Sequence, residues 1–300
     1  MTNTETGAAP EAEVKAAGSE VAVQDAPSGG TALQVDMNTI DFEEDSGQGA
    51  ENITAKMLVI PFISIIQSTS AYVKKSDPAG YIKGAEEGFI INTASKQMWD
   101  GTSAKDEGGI NVVVALVRSK HVEWVPREKG GGLVKIWDDE TYKTLPGYVK
   151  AEKGLKIITP EGNEIIEYLD LYAIIQDRTT KDFFRGLFSA KSTSIKPTRQ
   201  LLTNLTSLKL PSTKKPGKFF QPPMFYSMVR MTTVGQSNSQ GAWFTPKFDL
   251  IGQTIQQENG EAIYLEARKF YEDVQKGEVK IDEAGRERAT GEVGEGDLPF

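Results

Sequence analysis

From about residue 53 onward, apolar runs alternate with short polar or Gly-marked breaks, and the runs have the composition of strands. Met57-Leu-Val-Ile-Pro-Phe-Ile-Ser-Ile-Ile-Gln67 reads as a β segment interrupted at Pro61, because proline has no N–H to give to a ladder. Gly88-Phe-Ile-Ile-Asn, Ile110-Asn-Val-Val-Val-Ala-Leu-Val-Arg and Glu164-Ile-Ile-Glu-Tyr-Leu-Asp-Leu-Tyr-Ala-Ile-Ile are β-branched and aromatic, and Asp182-Phe-Phe-Arg-Gly-Leu-Phe-Ser continues the series. Helical spacing occurs twice. Leu201, Leu205 and Leu208 recur at i, i+4 and i+7 behind Pro197, which predicts a helix from about 197 to 209. Ile263, Ala267, Phe270, Tyr271 and Val274 predict a second helix over 258–275.

Between the helices, Met224 to Thr233 and Ala242 to Leu250 flank the polar stretch Gly235-Gln-Ser-Asn-Ser-Gln-Gly241, a hairpin with a longer turn. No internal repeat is visible. Many strands with two helices predict a mainly β fold with α insertions, an OB-like β-barrel core over 53–275. Residues 1–52 are rich in Ala, Gly, Glu, Thr and Ser without apolar periodicity, so burial cannot offset ordering entropy and a disordered acidic segment is expected. Residues 276–300 read as a flexible acidic tail.

Charge sharpens this division. The formal net charge is −8, yet residues 1–52 hold one Lys against eleven acids and residues 276–300 hold four basic residues against seven acids. The body, 53–275, therefore has 29 basic and 24 acidic residues, a net of +5. Whole-chain charge hides a basic core between acidic ends.

The basic residues concentrate further. From Lys181 to Arg230 there are ten and a single acid, Asp182. They are Lys181, Arg185, Lys191, Lys196, Arg199, Lys209, Lys214, Lys215, Lys218 and Arg230, interleaved with Phe183, Phe184, Phe188, Phe219, Phe220, Phe225 and Tyr226. Cations neutralise phosphates and flat rings stack on bases whatever their sequence, so both in one stretch point to a single-stranded nucleic acid. The expected contacts are the ten cations other than Lys209, with Phe184, Phe188, Phe219 and Tyr226. Half of the aromatics on strands must face a core, so which rings stack stays open.

Other chemistry is scarce. Without cysteine there is no disulfide, thiolate zinc site or thiol nucleophile. His121 is the sole histidine, expected on a strand surface, which argues against multi-histidine metal sites and Ser-His-Asp catalysis. Gly130-Gly-Gly132 lacks the Gly-Lys-Ser/Thr ending of a phosphate loop and reads as a hairpin tip, with Trp124 and Trp137 on either side. Weaker basic–aromatic clusters lie at Tyr72, Lys74 and Lys75, at Tyr81 and Lys83, and at Arg118, Lys120, Arg127 and Lys129. The N-terminus has no secretory pattern and the longest apolar stretch, Met57 to Ile66, is too short to span a bilayer. No cofactor, no metal and no membrane partner are expected, and the chain reads as cytoplasmic.

The chain closes on Gly291-Glu-Val-Gly-Glu-Gly296 followed by Asp297-Leu298-Pro299-Phe300. A proline-stiffened terminal Phe suits docking of one ring into a partner's pocket, with the carboxylate offered to a basic residue. By average residue usage such an ending arises in roughly one of some tens of thousands of chains, so it carries information. It resembles the acidic tip of bacterial single-stranded-DNA-binding proteins, which end in Asp-Ile-Pro-Phe or Asp-Leu-Pro-Phe and recruit replication and repair enzymes. The body, including Ser189-Ala-Lys-Ser-Thr-Ser-Ile-Lys196 and the hairpin Tyr226 to Phe248, resembles phage-type single-stranded-DNA-binding proteins of replication modules.

That resemblance implies a non-enzymatic protein that coats exposed strands during phage DNA replication, recombination and repair. Replication or recombination enzymes are recruited by Asp297, Leu298, Pro299 and Phe300, the locale is the cytoplasm of an infected host, and a homo-oligomer is compatible. Three rival readings follow in order: a recombination strand-annealing protein, a polymerase-docking accessory factor, and a carboxylate/magnesium nuclease using Asp138-Asp139-Glu140 or Asp170 with Asp177.

Overall fold

The structure, a computed structural model, describes residues 59–103, 108–137, 140–150, 157–239 and 241–281. The acidic segment expected over 1–52 and the tip Asp297–Phe300 lie outside them, as do Asp138 and Asp139.

The chain is mainly β. The first apolar run divides at Pro61 into β1 (Val59–Ile60) and β2 (Phe62–Ile65), as the missing N–H requires. Next come β3 (Ile90–Asn92), β4 (Met98–Trp99), the long β5 (Ile110–Trp124), β6 (Leu133–Trp137), β7 (Val149–Lys150) and β8 (Ile157–Ile158). The two most apolar runs form β9 (Glu164–Asp177) and β10 (Phe183–Lys191), followed by α1 (Ile195–Ser207). A small pair, β11 (Leu210–Pro211) and β12 (Phe219–Phe220), precedes the hairpin β13 (Ser227–Asn238) and β14 (Gly241–Gln253). The described fold ends with α2 (Gly260–Gln275) and β15 (Lys280–Ile281).

Eleven strands form one sheet, ordered β14-β13-β5-β9-β10-β2-β3-β4 along its main path, with β6, β7 and β8 attached beyond β5 and β9. The sheet curls into an OB-like half-barrel. Its principal pairs, β5 with β9, β9 with β10 and β13 with β14, are antiparallel. β2 joins β10 in parallel through Leu187↔Phe62 and Phe188↔Ile63. A bulge in β5 between Val114 and Leu116 and another in β14 at Ile251, opposite Met228 and Val229, add local twist. Gly186 of β10 admits no side chain, since a Cβ there would lie 2.8 Å from Ile175 and 3.0 Å from Ile63.

Period-2 alternation divides β9 and β10 between two cores. Leu169, Leu171, Ala173 and Ile175 pack with Phe188, Ala190, Val112, Val114 and Met231 on the face that receives Ile195, Leu201 and Leu205 of α1. Tyr172, Ile174, Leu187, Val113 and Ala115 pack on the other face against Ile263, Ala267, Phe270 and Val274 of α2. Each helix thus covers one face of the sheet.

Several expectations are corrected in detail. α1 begins at Ile195, so Pro197 stands third in the helix rather than first; its missing N–H still belongs to the first turn, where no intrahelical acceptor exists. Leu208 is the half-buried C-cap residue, outside the helix. The stretch 235–241 is not a long loop: β13 and β14 stay paired as far as Asn238↔Gly241. Residues 276–281, assigned by sequence to the tail, belong to the fold, where Val279 and Ile281 pack against the α2 core and β15 pairs in parallel with β1. His121 is 9% exposed rather than a surface residue, its ring 5.0 Å from that of Tyr142. Tyr72 is likewise core, beside Ile66 and Ile91. Gly130–Gly132 do form the β5–β6 tip, all three at positive φ.

Candidate nucleic-acid interface

The start of α1 faces β14 across a groove of about 830 Å³. The chain enters from β10 through Ser192–Ser194, a 3-10 turn, and leads directly into the helix. Its buried face, Ile195, Leu201 and Leu205, fixes the helix on the sheet, so Lys196, Arg199, Gln200 and Asn204 line the open side. The opposite wall is the hairpin, which contributes Val234, Gln236, Trp243, Thr245, Pro246, Lys247 and Phe248.

Three cations thus meet around two rings. Lys196 is exposed and has no ion-pair partner among the described residues. Arg199 is 57% exposed and its Nη2 donates to both Glu167 carboxylate oxygens at 2.6 and 2.9 Å. Lys247, 55% exposed, pairs with Asp249 at 2.7 Å. The Lys247–Asp249 pair is exposed on both sides and worth about 0–1 kcal/mol, so a phosphate can replace that carboxylate at small cost. Phe248 is buttressed from beneath by Phe188, edge to face at 6.2 Å. The indole N–H of Trp243 is buried and has no acceptor among the described residues, a deficit of about 1–3 kcal/mol.

The sequence-derived residues divide into three groups. Lys196 and Arg199 line the groove, Phe188 supports it from the core, and Lys191 lies near its entrance with its ammonium 5.8 Å from the Tyr168 ring centroid. Lys214, Lys215, Lys218 and Phe219 form an exposed arm beyond the C-terminal end of α1. The remainder is engaged elsewhere. Arg185 donates to Glu266 at 2.6 Å and Asp273 at 2.7 Å beneath α2, and its guanidinium lies 5.0 Å from the Phe270 ring. Phe184 stacks on Trp99 at 6.2 Å. Arg230 gives its Nε–H to the Gly108 carbonyl at 3.1 Å. Lys181 occupies a left-handed turn position, φ 66°, with its ammonium 3.8 Å from Glu258. Tyr226 is half-buried in the turn before β13.

Sequence reasoning missed Trp243, Lys247 and Phe248. Alternation along Trp243-Phe-Thr-Pro-Lys-Phe248 marks a strand, but only the packing of α1 reveals that this strand faces Lys196.

The weaker clusters serve the fold. Arg118 donates to the Val274 carbonyl at 2.8 Å and lies over Tyr172, while Lys120 pairs with buried Asp170 at 2.8 Å. Trp137 donates to Glu123 at 3.1 Å and meets Tyr142 edge-on. Burial pushes the Tyr142 phenol up to about 12, with Glu140 and Glu167 adding to the shift. Burial also lowers the His121 pKa, outweighing Glu167 and Glu140.

Asp170 and Asp177 do not converge: seven residues apart on β9, they project to opposite faces. Asp170 accepts from Ser189 and Lys120. Asp177 accepts from Trp99 at 2.7 Å, from Gln97 at 2.9 Å and from the N–H groups of Thr179 and Thr180. Burial raises its pKa, but these four donors prevail and hold it below the ordinary value. Among the described residues no group of three or more His, Cys, Asp or Glu side chains is placed to hold a metal, and no helix is long and apolar enough to cross a membrane.

No curated protein and no solved structure matches the chain. A model of the Pam3 phage gp34-like protein family matches residues 29–280. With most of its length matched, including every element that builds the groove, the chain belongs to the Pam3 phage gp34-like protein family.

Proposed function

We propose that this phage protein binds single-stranded DNA without enzymatic action, coating strands exposed during replication, recombination or repair. The observation that carries the reading is the groove between α1 and β14, where Lys196, Arg199 and Lys247 surround Trp243 and Phe248. A single strand offers phosphates along one edge and unstacked bases along the other, matching cations beside rings. Lys247 is held only by the exposed carboxylate of Asp249, which a phosphate displaces, and Arg199, paired with half-buried Glu167, still presents an open side to the groove. The body carries a net charge of +5, and a long-range attraction of this sign favours a polyanion.

The acidic end, Asp297–Phe300, serves in this reading as the recruiting peptide for replication or recombination enzymes. It also competes with DNA for the basic core, because it carries the same sign of charge.

Salt titrations of binding to oligo-dT, duplex DNA and RNA test this, with the full chain and a form lacking residues 291–300. Tight, salt-sensitive preference for oligo-dT is expected, and removing the tail strengthens it most at low salt. Equal affinity for all three nucleic acids, or none, overturns the coating role. An unchanged affinity without the tail removes only the competition.

A further inference from the structure

The chain leaving α1 forms an arm with no place in the core. β11 and β12 pair only with each other, Leu210↔Phe220 and Pro211↔Phe219, apart from the main sheet. The turn is closed by Ser212 N–H to the Lys218 carbonyl at 2.8 Å and Lys215 N–H to Ser212 Oγ at 3.1 Å. The arm is therefore shaped in advance, yet it holds Phe219 at 69% and Phe220 at 47% exposure. Residues 209–220 include four lysines and no acid.

A second exposed apolar feature has the opposite charge. The turn before α2 and its first two turns frame an open groove of about 540 Å³ floored by Ile255, Ala262 and Leu265. Ile255 is 56% and Leu265 54% exposed, and exposed Glu258 and Glu261 stand beside them. Two such exposed apolar features on one molecule mark interaction sites.

We propose that the arm of one copy seats in the α2 groove of the next. Phe219, the more exposed ring, covers Ile255 and Leu265, while Lys214 and Lys218 face Glu261 and compete with Lys181 for Glu258. Neighbouring residues on a strand project to opposite faces, so the two rings do not make one platform for stacked bases. Because donor and acceptor are different patches, the contact is heterologous and repeats from copy to copy, giving an open row of subunits where its rotation does not close a ring. Such a row suits a protein that lines a strand, but the contact itself requires no DNA.

Sedimentation velocity of the full chain without DNA, over a wide concentration range, is the test. One variant carries Phe219→Glu with Phe220→Glu, the other Ile255→Glu with Leu265→Glu; all four positions are exposed, and circular dichroism checks the fold. The expected result is a concentration-dependent series for the parent protein and monomers for each variant alone. An equimolar mixture then gives dimers and nothing larger, since one intact arm meets one intact groove. A parent that stays monomeric, a variant that still forms the series, or a mixture without dimers overturns the proposal. Loss of oligo-dT binding in the arm variant, with association unchanged, makes the arm a DNA contact instead. Failure here leaves the DNA-binding groove standing, because association is read without DNA.

Discussion

Gln67 and Phe244, 177 residues apart, exchange two hydrogen bonds of 2.9 Å: the Gln67 carboxamide N–H donates to the Phe244 carbonyl, and the Phe244 N–H donates to Gln67 Oε1. One side chain takes the place of a neighbouring strand. It satisfies the free edge of β14 and draws the end of the hairpin toward the segment that follows β2. Thr233 fastens the other side of the hairpin, its N–H on the Gly101 carbonyl at 2.8 Å and its hydroxyl on the Gly88 carbonyl at 2.7 Å. The wall carrying Trp243, Lys247 and Phe248 is thereby positioned by residues from the far end of the sheet.

Gln67→Ala is expected to lower stability by about 1–3 kcal/mol, because the Phe244 N–H and carbonyl lose their partners while still half-buried. Urea unfolding should show a lower midpoint with an unchanged slope. Affinity for oligo-dT should fall as well, since the hairpin loses its anchor. Gln67→Glu should be no better, for a carboxylate accepts the N–H but repels the carbonyl.

Two arginines that look alike in sequence should separate in experiment. Arg185 is 18% exposed and joins Glu266 and Asp273, the latter 7% exposed. Arg185→Ala leaves those carboxylates unpaired beneath α2 and should cost about 3–5 kcal/mol of stability. Arg199→Ala removes a pair that is open to solvent on its arginine side and should cost less, about 1 kcal/mol. Thermal unfolding orders the two one way and oligo-dT binding the other: Arg199→Ala binds weakly while folding normally.

That contrast locates what the sequence conveys and where it stops. The strands of β9 and β10, and both helices, follow from β-branched runs and from i, i+4 leucines, because each pattern is local. The curled β fold follows from their number and order. Which cation is free does not, since Arg185 meets its carboxylates 81 and 88 residues downstream. Nor does the groove, because Lys196 and Trp243 lie on elements brought together only by tertiary packing. The full length of the hairpin is not legible for another reason. Gln236, Ser237 and Asn238 are exposed on a projecting ribbon, so no alternation marks them as strand.

Stability should fall in two stages as the solution is acidified. His121 is held below its ordinary pKa of 6.5 by burial, so the folded protein keeps it neutral while the unfolded chain takes up a proton. Its contribution is whole above 6.5 and is lost as pH falls below that value through the folded pKa. Asp177 is held below its ordinary 3.8 by its four donors, so its contribution is whole above 3.8 and is lost only below it. His121→Phe should flatten the upper stage and Asp177→Asn the lower, as read by denaturant midpoints across pH.

The groove makes a prediction about salt. Each phosphate neutralised on a single strand contributes about −0.7 to the slope of log K against log salt concentration. Lys196→Gln removes one cation that has no ion-pair partner among the described residues, so it should weaken oligo-dT binding and reduce the magnitude of that slope by about 0.7. Trp243→Phe removes no charge, so it should lower affinity at every salt concentration and leave the slope unchanged. Its fluorescence gives a second readout: if bases stack in the groove, oligo-dT quenches the parent more than the Trp243→Phe protein. Should Lys196→Gln leave the slope as it was, the phosphates run elsewhere on the basic body, and the lysines of the arm become the sites to examine.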